Sequence, residues 1–261
     1  MARLPSPVRR SKRELSPHER QLQIARIVQE GLLPPPLTSL PDLEVAARFL
    51  PSRGVGGDFY DYFPIGAGSL GLYLGDVQGK GLEAAMYALL VSGLMRGLNK
   101  TGNNPSAVID ALNRRLCFRN VPGKFCCLSY AIIDHAARQL FFANAGLPFP
   151  LLQRDAASEP VRLTGSPVGL FDPCEFDQVS TPLLPGDRIL FYTDGLGDVL
   201  DHGRGGAEAY LARYLASQPN ASATQLADGL VRRVLRRPRP LLDDATFLLL
   251  RVLDPNPAGQ R

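Results

Sequence analysis

Short strand-like segments closed by tight turns constrain this chain more than any other feature. LEVAARFLP, DFYDYFP, SLGLYLGDV, FCCLSYAIID, RQLFFANAG and DRILFYTDG carry Gly, Pro or Asp at or near their ends, and ATFLLLRVL follows near the C-terminus. IGAG at 65–68 and HAAR at 135–138 leave room only for tight turns between neighbours. Strands joined so closely must pair antiparallel, because a parallel crossover needs a dozen residues or more. Helical spacing occupies the gaps, at 81–99, 105–118, 206–217 and 222–236. The first of these carries Leu82, Ala85, Met86, Leu89, Leu90 and Leu98 on its apolar positions. The expected class is α+β, with antiparallel sheet and flanking helices.

With 45% hydrophobic and 21% charged residues, the 261-residue chain can bury one sizeable core or two small ones. No apolar run approaches the ~20 residues of a membrane span. The basic N-terminal stretch has no apolar core of the secretory kind, so a cytoplasmic, membrane-free protein is expected. Cys117, Cys126, Cys127 and Cys174 form no CxxC pair and read as free thiols. The excess charge of +4 gathers in residues 9–13 and 232–239. Neither cluster interleaves aromatic residues, and no nucleic-acid partner is expected.

Four parts are expected: a disordered basic tail at 1–15, a helical segment at 16–38, one catalytic-sized domain at 39–253, and a flexible tail at 254–261. The helix opens with Ser16 as cap, Pro17 at the first position and Glu19 closing a capping box, and Pro34-Pro35-Pro36 ends it. Leu22, Ala25, Val28 and Leu32 form its stripe, which either packs on the domain or meets a partner or second copy.

Aspartates punctuate the strand ends: Asp58 in VGGDF, Asp76 in LGDVQGKG, Asp194 in YTDGLGD and Asp243-Asp244 in LLDDATF. Each alone is an ordinary turn or cap residue. Asp58 and Asp76, however, lie symmetrically about the IGAG turn, so an antiparallel hairpin brings both to one end. Asp194 ends a strand and Asp243 begins one. If those strands are neighbours, all four carboxylates converge. Such a group needs a hard divalent cation, Mg²⁺ or Mn²⁺, with oxygen ligands. His18, His135 and His202 lie in polar or loop settings and offer no competing soft site. Gly56-Gly57 and Gly79-Lys80-Gly81 allow backbone close to an ion.

At these residues the chain resembles metal-dependent PPM-type serine/threonine phosphatases, in the bacterial SpoIIE/RsbU-like branch. The segments that carry the resemblance are IARIVQEGLLP, PSRGVGGDFYDYF, GDVQGKGLEAAM, ALNRRL, NAGLPFPLL, LLPGDRILFYTDGLGD and DDATFLLLR, in order from Glu19 to Leu253. The resemblance implies an antiparallel β-sandwich flanked by helices, with two Mn²⁺ or Mg²⁺ ions at one edge. It implies that Asp76 bridges the ions with the Val77 carbonyl, that Asp58 holds one, and that Asp194 and Asp243, rather than Asp244, hold the other. An activated water would attack phosphoserine or phosphothreonine in line, without a covalent enzyme intermediate. The implied substrate is a phosphorylated anti-anti-sigma (STAS) regulator. Control would come through the 17–33 helix, by an activator protein or by dimerisation, since about forty residues before the domain are too few for a sensor fold. The chain departs from the family at Leu147, where His is frequent, at Asp198, where Glu is frequent, and near Cys126-Cys127, where Thr is common.

Two other readings compete. Gly56-Gly57-Asp58 is similar to a diguanylate cyclase signature, but Phe59-Tyr60 follows instead of Glu-Phe. A catalytically weak relative that binds a phosphoprotein is the other. A Walker loop is excluded, because no Ser or Thr follows Gly79-Lys80-Gly81. Asp61, three positions after Asp58, falls on the opposite side of the strand and is expected to be structural.

Overall fold

The computed structural model describes residues 16–37, 40, 42–66, 68–98, 104–200, 206–237 and 240–254. The expected tail at 1–15, the expected tail at 254–261 apart from Asp254, His202 and the end of the second arginine cluster lie outside these residues.

Among the described residues, ten strands form two antiparallel sheets. The first runs β1 (Leu43–Leu50), β10 (Ala245–Val252), β9 (Arg188–Tyr192), β6 (Leu151–Arg154), β7 (Ala157–Pro160). The second runs β2 (Phe59–Ile65), β3 (Ser69–Val77), β4 (Cys126–Asp134), β5 (Gln139–Ala145), β8 (Val179–Pro182). The period-two alternation of each strand decides which side chains meet. Leu70, Leu72 and Leu74 of β3 enter the core between the sheets with Ile189 and Phe191 of β9 and Leu248 and Leu250 of β10. The odd positions Tyr73 and Val77 face outward and are covered by α2 (Leu82–Leu98) and α3 (Pro105–Arg119). On the other side, Leu190, Phe247 and Leu249 are covered by α4 (Asp194–Leu200), α5 (Gly206–Ala216) and α6 (Ala223–Leu235). Three apolar layers thus separate two sheets and two helical layers. Each fully buried Leu contributes roughly 1.5–3 kcal/mol of burial.

The helices start where their sequence allows. Asn104 caps α3 through Ala107 N (3.0 Å), and Ser222 with Gln225 forms a capping box on α6. Helix α1 (Pro17–Gly31) shows the Ser16–Glu19 box. Of the two expectations for its stripe, packing on the domain does not hold at Val28. Val28 is half exposed, as are Ile24 and Ile27, and the buried position is Gln29. The reason is a polar anchor: Gln29 is held by backbone rather than by apolar contact.

Strands β6, β7 and β8 and helix α4 were not visible in the sequence. The strands are four residues each, too short for a periodic signal. Asp194 opens helix α4, with Thr193 alone between it and the end of β9, rather than ending a strand, and Asp243 precedes β10 by two residues rather than beginning it. All four cysteines are free. His135 pairs with Asp42 (2.9 Å), away from the acidic residues. Among the described residues no helix is long and apolar enough to cross a membrane.

Candidate functional site

The β2–β3 register sets Phe59 opposite Gly75, so the next step outward brings Asp58 opposite Asp76. On its other side Asp76 pairs with Cys127 of β4. Asp58 has the parity of Tyr60 and Tyr62, and Asp76 that of Leu72 and Leu74. Both carboxylates therefore belong to the inner face, at one end of the sandwich.

The first sheet meets them there. Strands β9 and β10 are antiparallel neighbours, with Tyr192 opposite Phe247. Beyond that pair Thr193 N donates to Thr246 O and Thr246 N donates to Thr193 Oγ1, both at 3.0 Å. The Thr193 hydroxyl then donates to Asp58 Oδ2 (2.9 Å), a bond from one sheet to the other. Nothing in the sequence singled out Thr193, because its role depends on how the sheets stack.

Adjacent aspartates divide their work. Asp244 is buried and accepts from Ser52 N through Oδ1 and from Gly57 N through Oδ2, both at 2.7 Å. Its two oxygens are committed to holding the 52–57 loop. A Cβ on Gly56 would run into this carboxylate. Gly57 serves the site itself: a Cβ there would stand 3.0 Å from Val77 O and 3.6 Å from Asp76 Oδ1. Asp243 accepts from Asp244 N through Oδ1 (2.9 Å) and pairs with Lys80 Nζ through Oδ2 (2.7 Å).

Electrostatics record the crowding. Burial, then the Asp76 charge, holds the Asp58 carboxyl well above its ordinary value. Burial, then Asp194, Asp243 and Asp244, pushes Asp76 up to about 7. Burial and Asp243 raise Asp194. These shifts are the signature of carboxylates gathered with too little positive charge. The donors are all oxygen and suit a hard divalent cation in kind and in charge. Among the described residues, no three His, Cys, Asp or Glu side chains already stand as a closed ligand set. Asp58 is engaged by Thr193 and Asp243 by Lys80.

A cleft of about 310 Å³ opens over Asp76 and Asp194. Its other wall is Cys127, Gly146, Leu147, Pro148 and Phe149. Leu147 is buried and belongs to the inter-sheet core, so the side chain at this departure from the family is a packed wall of the cleft. Arg162 lies over the Phe149 ring, 5.5 Å from its centroid. Asp61 is elsewhere: it faces the helical layer, paired with Arg96 Nε (2.7 Å) and near Tyr73 OH (3.3 Å).

Known proteins share this plan. Phosphoserine phosphatase RsbP of Bacillus subtilis is 27% identical over 241 residues, covering 90% of this chain and 58% of its own length. The chain thus spans little more than half of that relative, and 32% of the Synechocystis protein IcfG. The crystal structure of the RsbU and RsbW domains of a Mycobacterium tuberculosis protein superposes with a TM-score of 0.72 at 30% identity, covering 84% of this chain and 62% of that one. The catalytic domain of the serine threonine phosphatase PstP, solved with two manganese ions, shares the fold at a TM-score of 0.61 and 20% identity, over 82% of this chain and 99% of that one. The family model for stage II sporulation protein E (SpoIIE) matches residues 66–253, which include Asp76, Asp194 and Asp243 and begin just after Asp58. With most of its length matched and the same sandwich, the chain belongs to the SpoIIE family.

Proposed function

We propose that this chain is a Mn²⁺- or Mg²⁺-dependent protein phosphatase that hydrolyses phosphoserine or phosphothreonine on a regulatory protein. The observation that carries the reading is the convergence of Asp58, Asp76, Asp194 and Asp243 from two sheets beside one cleft. Asp76, the Val77 carbonyl and Asp58 would hold one ion, and Asp76, Asp194 and Asp243 the other. When bound, the ions supply activation of a water and charge stabilisation of the phosphoryl group. The chain's own residues do the rest. Asp244 fixes the 52–57 loop, Thr193 orients Asp58, and Leu147, Pro148 and Phe149 limit water at the cleft wall. The RsbP relative is named a phosphoserine phosphatase, and the PstP domain carries manganese, which supports both halves of the reading.

The protein substrate in this reading is a phosphorylated STAS-type regulator. Support comes from the resemblance and from the presence of RsbU and RsbW domains in one mycobacterial protein. Helix α1 is the control element, through an activator protein or a second copy. Its Ile24, Ile27 and Val28 remain exposed while Gln29 and the Leu32 carbonyl are tied to the domain. If removal of residues 1–33 left both turnover and its activation unchanged, that control role would fail.

Turnover of an aryl phosphate with Mn²⁺, lost in Asp76→Asn, tests the enzyme. No Mn²⁺-dependent turnover by the intact chain would favour the phosphoprotein-binding alternative. Phosphate release from phosphorylated STAS proteins of the same genome tests the substrate class.

A further inference from the structure

Lys80 is the one cation that the structure places directly on the acidic cluster among the described residues. It sits between Gly79 (φ +106°) and Gly81 (φ +74°), backbone conformations that favour glycine and turn the loop after β3 back toward β10. Its ammonium meets Asp243 Oδ2 at 2.7 Å and donates to Leu242 O at 2.6 Å. Lys124, the other cation of this loop region, is engaged elsewhere, with Glu83 (3.3 Å) and the Gln78 carbonyl (3.3 Å).

The division of Asp243 makes this contact consequential. Oδ1 accepts from Asp244 N (2.9 Å), which leaves Oδ2 as its outward oxygen, and Lys80 holds it. The same ammonium is among the charges that favour the ionised form of Asp194. A divalent ion that takes Asp243 as ligand must therefore compete with an ammonium already seated there.

We propose that Lys80 is a resident counter-ion that neutralises Asp243 in the metal-free chain and yields that carboxylate when the second divalent ion binds. The inference rests on the metal-dependent reading above. One charge is exchanged for two at the same oxygen. The tether from the 78–81 loop to residue 242 loosens in the exchange, so filling of the second position is communicated to the start of α2.

Mn²⁺ titration of the metal-stripped full chain by calorimetry tests this, with Lys80→Met and the charge-conserving Lys80→Arg. Lys80 and Asp243 are partly exposed, and pairs of that kind are worth up to ~1 kcal/mol. Loss of the competitor should tighten the weaker Mn²⁺ site by about two- to fivefold in Lys80→Met, while Lys80→Arg stays near wild type. Unchanged or weaker binding in Lys80→Met would overturn the proposal and make Lys80 a support for Asp243. A second measurement follows the lysine ammonium resonances by proton–nitrogen NMR under Mg²⁺. The signal missing from the Lys80→Met spectrum should vanish from the wild-type spectrum at saturation. Its persistence, unshifted, would also overturn the exchange. Absence of Mn²⁺ binding by the wild type would bring down the metal reading and Lys80's role together, whereas binding without tightening removes Lys80's role alone.

Discussion

Gln29 Nε2 donates to the Gly56 carbonyl at 2.7 Å, and the Gly56 N–H returns to Gln29 Oε1 at 3.1 Å. One amide side chain on α1 thus satisfies both backbone groups of a buried glycine two residues before Asp58. Gln29→Leu leaves both unpaired, and the expected loss of stability is about 1–3 kcal/mol. Turnover at limiting Mn²⁺ should fall with it, because the loop that presents Asp58 loses its brace. Urea denaturation and a Mn²⁺ titration of activity check the two effects. If neither moved, α1 would not brace the site.

Asp58 and Asp61 offer a contrast within one strand. Asp58 faces the sheet interface and Thr193, whereas Asp61 faces Arg96 and the helical layer. Asp58→Asn should reduce Mn²⁺-dependent turnover at least about tenfold, as loss of a metal-site group does. Asp61→Asn should cost about 1–2 kcal/mol of stability and leave turnover within about twofold. Equal effects on turnover would contradict the division of the strand's two faces.

Two glycines make a second pair. A Cβ on Gly57 would meet Val77 O at 3.0 Å and Ala84 Cβ at 3.3 Å, contacts that a small loop shift can relieve. Gly57→Ala should fold and bind Mn²⁺ more weakly. On Gly75 a Cβ would enter the Phe59 ring inside the helix-facing core. Gly75→Ala should lose about 1–3 kcal/mol through overpacking. Thermal melts with and without Mn²⁺ separate the two: the metal-induced rise in Tm shrinks in the first variant, and the metal-free Tm drops in the second.

The raised carboxyls predict a pH dependence with a definite sign. Asp76 is pushed up to about 7, and Asp58 and Asp194 are raised as well, chiefly by burial. Between about pH 4 and 7 the folded metal-free chain therefore binds more protons than the unfolded chain. Stability contributed by these groups is greatest below pH 4 and falls as pH rises through 7. The Tm of the EDTA-treated chain should accordingly be higher at pH 5 than at pH 8, and saturating Mg²⁺ should diminish or reverse that slope. A metal-free Tm that climbed across this range would oppose the crowding of these carboxylates.

Much of the architecture was legible because it is local. Hairpin β2–β3 follows from two alternating runs and a short turn, and its symmetry brings Asp58 opposite Asp76. Helix α1 follows from its cap and spacing, and α3 and α6 from spacing alone. The odd offset of Asp61 followed from the pleat. Harder to see were β6, β7 and β8, whose four-residue lengths hold too few alternations, and α4, whose glycine-rich start reads as a turn.

The sequence by itself determined that Asp58 and Asp76 meet at one end of a hairpin, since strand parity and turn position are properties of neighbouring residues, but it did not determine which elements Asp194 and Asp243 begin or end. Tertiary structure decided what each one does. Only the stacking of the sheets brings the Thr193 hydroxyl onto Asp58, and only the path of the 52–57 loop commits Asp244 to backbone amides while Asp243 turns to Lys80. Asp243 and Asp244 are chemically identical neighbours. Their separate roles come from hydrogen-bond partners more than 160 residues away in sequence, which no local pattern encodes.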